Sequence, residues 1–162
     1  MYAKVYVVLN QIRFKMKKLL GIVVLGLLWC NASFAETIPE KRKKYYHNNL
    51  SHDFISCQAF YFYAAEAVKT NDPSSKLINN FQESAKIAGQ IGFVFGSQAG
   101  LSDAALSARF KLEVKNMGKE IDNNFANISI LIYQYGDFCK EIMNDPRDRE
   151  NYWEEKSQNK FK

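Results

Sequence analysis

The sequence predicts an all-α fold, a small helical bundle, and three observations lead to that class. Apolar residues recur at spacings of three and four through most of the chain after residue 50, which is the repeat of one helix face. No run of alternating apolar and polar residues indicates a strand. Beyond residue 50 the prolines are Pro73 and Pro146, and each lies at a natural boundary between helical segments.

The chain begins with a segment that resembles a bacterial secretory signal peptide. From Met16, two lysines precede an apolar run that ends at Trp29, and small residues flank Phe34. The apolar run is far shorter than the roughly 20 residues of a membrane-spanning helix. We therefore expect initiation at Met16, cleavage of the signal peptide 1–35 after Ala35, and a periplasmic or secreted protein.

Cys30 leaves a second interpretation open, a lipid-anchored protein cleaved just before that cysteine. Bacterial lipoproteins carry a small residue at the preceding position, where this sequence has Trp29. The cleaved signal peptide is therefore the favoured interpretation, and it removes Cys30 from the mature protein.

The charge of the mature chain is balanced although that of the full sequence is not. The full sequence has 22 basic and 17 acidic residues, and five of the basic ones lie in 1–35, which has no acidic residue; 17 of each sign remain. A nucleic-acid-binding face needs an excess of basic residues. The basic run at 41–44 lies in 36–50, which reads as a polar N-terminal tail. We expect no nucleic-acid partner and no membrane-spanning segment in the mature chain.

The first two helices are predicted at about 51–69 and 75–97. Ser51 is a suitable N-cap for the first helix, and Asp53 suits its first turn. The turn-forming residues at 71–75 separate the two helices. Gly100 then ends the second helix, and Ser102 caps the next one.

From residue 103 the apolar pattern is unusually long, and two interpretations remain open. It forms either one helix over 103–144, which gives an elongated helical hairpin, or two helices with a turn at Asp122–Asn124, residues that favour turns and caps. The second interpretation gives a four-helix up-down-up-down bundle. Pro146 begins a short C-terminal helix. The helical domain is therefore predicted over 51–156, followed by a tail at 157–162.

Cys57 and Cys139 remain after removal of the signal peptide, and in an oxidising compartment they are expected to form a disulfide. A redox-active dithiol would more typically have two residues between its cysteines. The bond requires Cα atoms within about 7 Å, which a simple three-helix bundle with a long third helix cannot provide. A turn near Asn124 brings the cysteines to one end of the molecule, as does stacking of the first two helices along an unbroken third. We favour the compact bundle because it buries more surface.

No residue pattern indicates a catalytic, cofactor or metal site. His47 and His52 are five positions apart, whereas paired ligands on a helix face are three or four apart. We expect both to be solvated surface residues. Sequence signatures of haem, di-iron, nucleotide and hydrolase sites are missing as well. We therefore assign no catalytic, cofactor-binding or metal residue and expect a protein that is not an enzyme.

Two short stretches are candidate interaction surfaces. Phe60, Tyr61, Phe62 and Tyr63 are consecutive, so on a helix they point to all sides. Either the first helix is central, or some rings face outward and offer a patch for a partner, a second copy or an apolar ligand.

The second stretch is a face of small residues at four-residue spacing, Gly92, Gly96 and Gly100. Such a face suits close packing against a neighbouring helix. Alternatively, because glycine weakens a helix, this end of the helix opens for a ligand or partner.

These features predict a small exported helical protein that acts by binding, through a protein partner or self-association, as an accessory protein of the periplasm. The alternative is a small-molecule or cofactor binder with a cavity between helices. An enzyme of unrecognised type comes third.

Overall fold

The structure is a computed structural model that describes residues 36–162, and within them it is an all-α bundle, as the sequence predicts. The signal peptide, its cleavage point and Cys30 lie outside the described residues. Between residues 36 and 162 the elements are five α-helices and one short 3-10 turn: α1 Ile38–Asn71, α2 Leu77–Gln98, α3 Asp103–Glu120, the 3-10 turn Phe125–Asn127, α4 Ser129–Asn144 and α5 Arg147–Lys160.

The first helix is central to the bundle, and the other four pack mainly against it. α2 runs antiparallel to α1, since Gly96 lies beside Ser51 and Gly89 beside Gln58. α3 runs in the same direction as α1, and α4 and α5 run opposite to it. α4 covers the second half of α1 and α5 covers the first half. The helices α1 to α4 therefore alternate in direction.

α1 begins at Ile38 rather than near Ser51, so the predicted tail at 36–50 is wrong. Arg42 donates two hydrogen bonds to the carbonyl oxygen of Phe161, at 3.2 and 2.8 Å. The ring of Tyr45 meets those of Trp153 and Phe161 edge to face, with centroids 6.1 and 5.8 Å apart. These contacts come from α5 and its C-terminal end, and they hold a polar sequence in helical form.

Ser51 and Asp53 consequently have other roles than the cap and first-turn residues predicted from the sequence. Both lie within α1 and are buried. The hydroxyl of Ser51 accepts a hydrogen bond from Arg109 of α3. The carboxylate of Asp53 accepts hydrogen bonds from Arg149 at 2.6 Å and from the indole of Trp153, which fasten α5 to α1. The predicted C-terminal tail is also largely helical, because α5 continues to Lys160.

A turn divides the long apolar pattern, which confirms the bundle and rules out the elongated hairpin. Asp122 and Asn123 adopt the left-handed backbone conformation, with φ of 55° and 53°. Asparagine and aspartate tolerate this conformation better than most residues. The side chain of Asn124 then accepts a hydrogen bond from the backbone NH of Ala126 and begins the 3-10 turn.

The connection between α2 and α3 follows the sequence prediction closely. Gly100 has a φ of 83°, which glycine adopts without strain. The NH of Leu101 reaches back to the carbonyl of Gly96 at 3.0 Å. Ser102 caps α3 by accepting a hydrogen bond from the NH of Ala105.

Cys57 and Cys139 form the predicted disulfide, with Cα atoms 5.3 Å apart and both residues fully buried. The bond joins α1 to α4 inside the main core, where Phe54 and Leu131 are also buried. It lies midway along α1 rather than at one end of the molecule, because α1 begins at Ile38. None of the helices between residues 38 and 160 has both the length and the apolar character needed to cross a membrane.

Candidate functional site

A surface groove of about 720 Å³ lies between α1, α2 and α4. Its floor consists of aromatic and small residues of α1, and its walls are apolar residues of α2 and of the start of α4. Polar side chains lie at the rim. The lining residues are Phe60, Tyr61, Ala64, Ala67, Val68, Asn71, Asp72, Ser75, Leu77, Phe81, Ile128, Ile132, Gly136 and Lys140.

The groove exists because α2 and α4 each pack on α1 but make little contact with each other. The small side chains of Ala64 and Ala67 on α1 leave the space between these two helices unfilled. At Gly136 a methyl group would come no closer than 3.6 Å to Ile132 and 3.9 Å to the ring of Phe60, so there is room above that glycine.

The predicted aromatic stretch divides between the groove and the α3 interface. Phe60 and Tyr61 are buried in the groove floor, and Tyr61 stacks on Phe81 of α2 with centroids 6.3 Å apart. Phe62 and Tyr63 lie on the α3 side. The hydroxyl of Tyr63 donates to the carbonyl of Val114 at 2.9 Å. Phe62 is 40% exposed.

The predicted glycine face is filled by the chain itself. Gly92 and Gly96 are buried. A methyl group on Gly92 would lie 2.8 Å from Cγ1 of Ile55, and one on Gly96 would overlap Leu106. Gly100 belongs to the turn after α2. In this structure the stripe serves close helix packing, which was one of the two alternatives that the sequence left open.

The two ends of the groove differ in charge. Lys140 stands at the rim where α4 meets the middle of α1, and it forms no ion pair with any residue in 36–162. At the far end Asp72 follows the last turn of α1, where its carboxylate accepts hydrogen bonds from the NH and hydroxyl of Ser74. The C-terminus of α1 and the N-termini of α2 and α4 lie at that end, so their partial charges oppose one another. Burial raises the pKa of Tyr61 in the floor, so its hydroxyl stays protonated.

His47 lies away from the groove and is buried, contrary to the solvated position that we expected. It is 8% exposed, its ring lies 5.8 Å from that of Phe95, and its Nδ1 has no hydrogen-bond partner. Burial, reinforced by Lys43, lowers the pKa of His47. His52 is exposed, as predicted, 3.8 Å from a carboxylate oxygen of Glu113. Within residues 36–162 no group of three or more metal-binding side chains comes together.

The burial of His47 predicts that the protein becomes less stable as the pH falls. The unfolded chain binds the proton near pH 6.5 and the folded chain only at lower pH, so stability is highest above 6.5 and decreases below it. We expect the urea midpoint to decrease between about pH 7.5 and 5.5. In His47→Gln this pH dependence should become shallower, whereas in the matched control His52→Gln it should persist. Equal pH profiles for His47→Gln and the wild type would contradict the prediction.

Comparison with known proteins gives no family for this chain: no family model, no curated protein and no solved structure matches it. Any inference about its function therefore rests on the chemistry of its own residues.

Several residues that line the groove could not be recognised as site residues from the sequence. Leu77, Ile128 and Ile132 belong to apolar helix stripes, which predict a buried face. Leu77 and Ile132 are in fact 52% and 54% exposed. Phe60 and Tyr61 were named from the sequence, and among the missed residues Gly136 carried a signal, because a glycine within an apolar helical stretch leaves a gap beside its neighbours.

Proposed function

We propose that the protein acts by binding, and that the groove between α1, α2 and α4 takes an apolar ligand. The observation that carries this proposal is an apolar recess of about 720 Å³ at the surface of a well-packed bundle. Ligand sites typically have volumes of about 300–1,000 Å³ and are lined mainly by apolar residues with a few polar groups. The groove fits both criteria.

The polar groups of the groove support binding better than catalysis. Asn71, Asp72 and Ser75 lie at one end, and Lys140 lies at the other. A nucleophile and its base need to be within hydrogen-bonding distance of each other, and these four lining residues form no such pair; Ser74, whose hydroxyl donates to Asp72, does not line the groove. The groove therefore offers apolar contact area with charge at its ends.

We further propose that the protein works outside the cytoplasm. The Cys57–Cys139 disulfide supports this, because such bonds persist in oxidising compartments. The signal peptide predicted over 1–35 points the same way. The partner protein or self-association expected from the sequence stays a prediction.

Substitutions of Gly136 by residues with larger side chains, which would fill the groove, test the proposed function. We expect the neutral apolar dye Nile red to bind saturably to the wild type. The series Gly136→Ala, Gly136→Leu and Gly136→Trp places larger side chains over Phe60. Alanine should leave the affinity within about twofold, because its methyl group makes only ordinary contacts, whereas tryptophan should lower it at least tenfold.

The helical content and urea midpoint of each variant show whether it is folded, and the graded series makes the result independent of any single variant. Equal dye affinity across the series, or no saturable binding by the wild type, would overturn the proposed function.

A further inference from the structure

We infer that the ligand of the groove is an anionic amphiphile, an alkyl chain with one anionic head group, whose head binds at Lys140. This inference rests on the proposed function, because it names the class of ligand for the same groove. Three features of the groove carry it: its shape, the distribution of charge along it and the chemistry of its lining.

The groove is elongated. Along α4 it extends from Ile128 to Lys140, about 18 Å at a rise of 1.5 Å per residue. Its volume of about 720 Å³ is within the range of small-molecule sites, about 300–1,000 Å³. An elongated apolar groove of this size suits an extended alkyl chain.

The charge along the groove gives the ligand a direction. Lys140 is the one cationic side chain of the lining, and its ammonium group forms no ion pair with any described residue. Asp137 and Glu141 are near it in sequence but do not pair with it. The opposite end carries the carboxylate of Asp72, which repels an anion. An anionic head group is therefore expected at Lys140.

Between these ends the lining offers apolar contacts. Ala64, Val68, Phe81 and Ile132 present carbon atoms from all three helices to the interior of the groove. Each methylene group of an alkyl chain gains free energy when it leaves water for such surroundings. The affinity of a homologous series should therefore increase with chain length.

Head-group preference tests the inference by isothermal titration calorimetry. The probes are dodecanoate, dodecyl phosphate, dodecanol and dodecyltrimethylammonium, the three ionic ones below their critical micelle concentrations and dodecanol below its solubility limit. They share one alkyl chain and differ in head-group charge. In the wild type we expect both anions to bind about fivefold more tightly than dodecanol, as for an exposed charge pair, and the cation to bind most weakly. The two anions separate a carboxylate from a phosphate head.

Variants of the exposed Lys140 test whether its charge causes the head-group preference. Lys140→Met should remove the preference for anionic probes, Lys140→Arg should keep it, and Lys140→Glu should reverse it. Lys111→Met, on α3 and outside the groove, is the matched control and should leave it unchanged. The preference should also decrease as salt is added.

The two proposals fail in different ways. Equal binding of all four probes by the wild type, abolished by Gly136→Trp, would overturn the anionic head group and leave the groove as the binding site. A head-group preference that survives in Lys140→Glu would also overturn the inference. Absence of binding for every probe and for Nile red would overturn the proposed function itself.

Discussion

Reducing the bond between Cys57 and Cys139 is expected to lower the free energy of unfolding by about 4.5 kcal/mol. The two cysteines are 82 positions apart. In the chain-entropy treatment, a cross-link that closes a longer loop removes more conformations from the unfolded chain. Domains of this size are stable by about 5–15 kcal/mol in total. The reduced protein should therefore retain only a part of its stability.

The position of the bond adds a local consequence. The bond joins α1 to α4. Because α4 makes few contacts with α2 and α3, this covalent link accounts for much of its attachment to the bundle. α4 also forms one wall of the groove. Loss of the bond should therefore weaken binding of Nile red as well as lower the stability.

Urea unfolding followed by circular dichroism checks this prediction. The oxidised protein is compared with the reduced protein, which keeps every sulfur atom and so isolates the effect of the cross-link from that of lost volume. Cys57→Ala/Cys139→Ala provides the control, since the reductant should not change its urea midpoint. Equal midpoints for the oxidised and reduced wild-type protein would contradict the prediction.

Features that depend on local backbone geometry could be predicted from the sequence. Gly100, Asp122 and Asn123 adopt conformations that few residue types tolerate, so their identities mark the turns. The Cys57–Cys139 pair could be predicted because removal of the predicted signal peptide leaves two of the three cysteines, and two allow one pairing. The apolar spacing gave the all-α class, and the turn residues favoured two helices over one in the long apolar pattern without deciding between them.

The length of the first helix could not be predicted, because it depends on contacts between distant parts of the chain. The stretch 38–50 has no clear apolar stripe, and it is helical where Arg42 and Tyr45 meet the C-terminal end of the chain. Arg42 and Phe161 are 119 positions apart. Asp53 illustrates the same limit: it resembles a residue of a first helical turn, but its carboxylate binds Arg149, 96 positions away.

The groove was missed for a related reason. An apolar stripe shows that a helix face avoids water, but it does not show whether a neighbouring helix covers that face. Ile128 and Ile132 belong to such a stripe, and α2 does not reach across to cover them. The width of the gap depends on how α2 and α4 are placed on α1, and that placement is set by the whole bundle.

Gly96→Ala is expected to destabilise the protein by about 1–3 kcal/mol, even though alanine favours the helix over glycine by about 1 kcal/mol. The added methyl group would overlap Leu106 and lie 2.8 Å from Oγ of Ser51. Both neighbours are fully buried, and the Ser51 hydroxyl also accepts a hydrogen bond from Arg109. Relief of the overlap requires the buried side chains of Leu106 and Ser51 to shift, or α2 to move away from α1 and α3.

Gly136→Ala is the matched control and is expected to have the opposite sign. Its methyl group would lie 3.6 Å from Ile132 and 3.9 Å from Phe60, which is ordinary contact. The helix propensity of alanine should then stabilise the protein by about 0.5–1 kcal/mol. Both glycines lie within helices, so the difference between the two variants isolates packing from propensity.

Urea unfolding of both variants decides whether the small-residue stripe is a packing face or a surface that opens. If Gly96→Ala lowers the stability while Gly136→Ala raises it, α2 is held against α1 and α3 at the distance that the structure shows. If Gly96→Ala instead raises the stability, the space beside Gly96 is open in solution. The glycine stripe would then be available to a ligand or partner, and the groove would not be the sole candidate for the binding site.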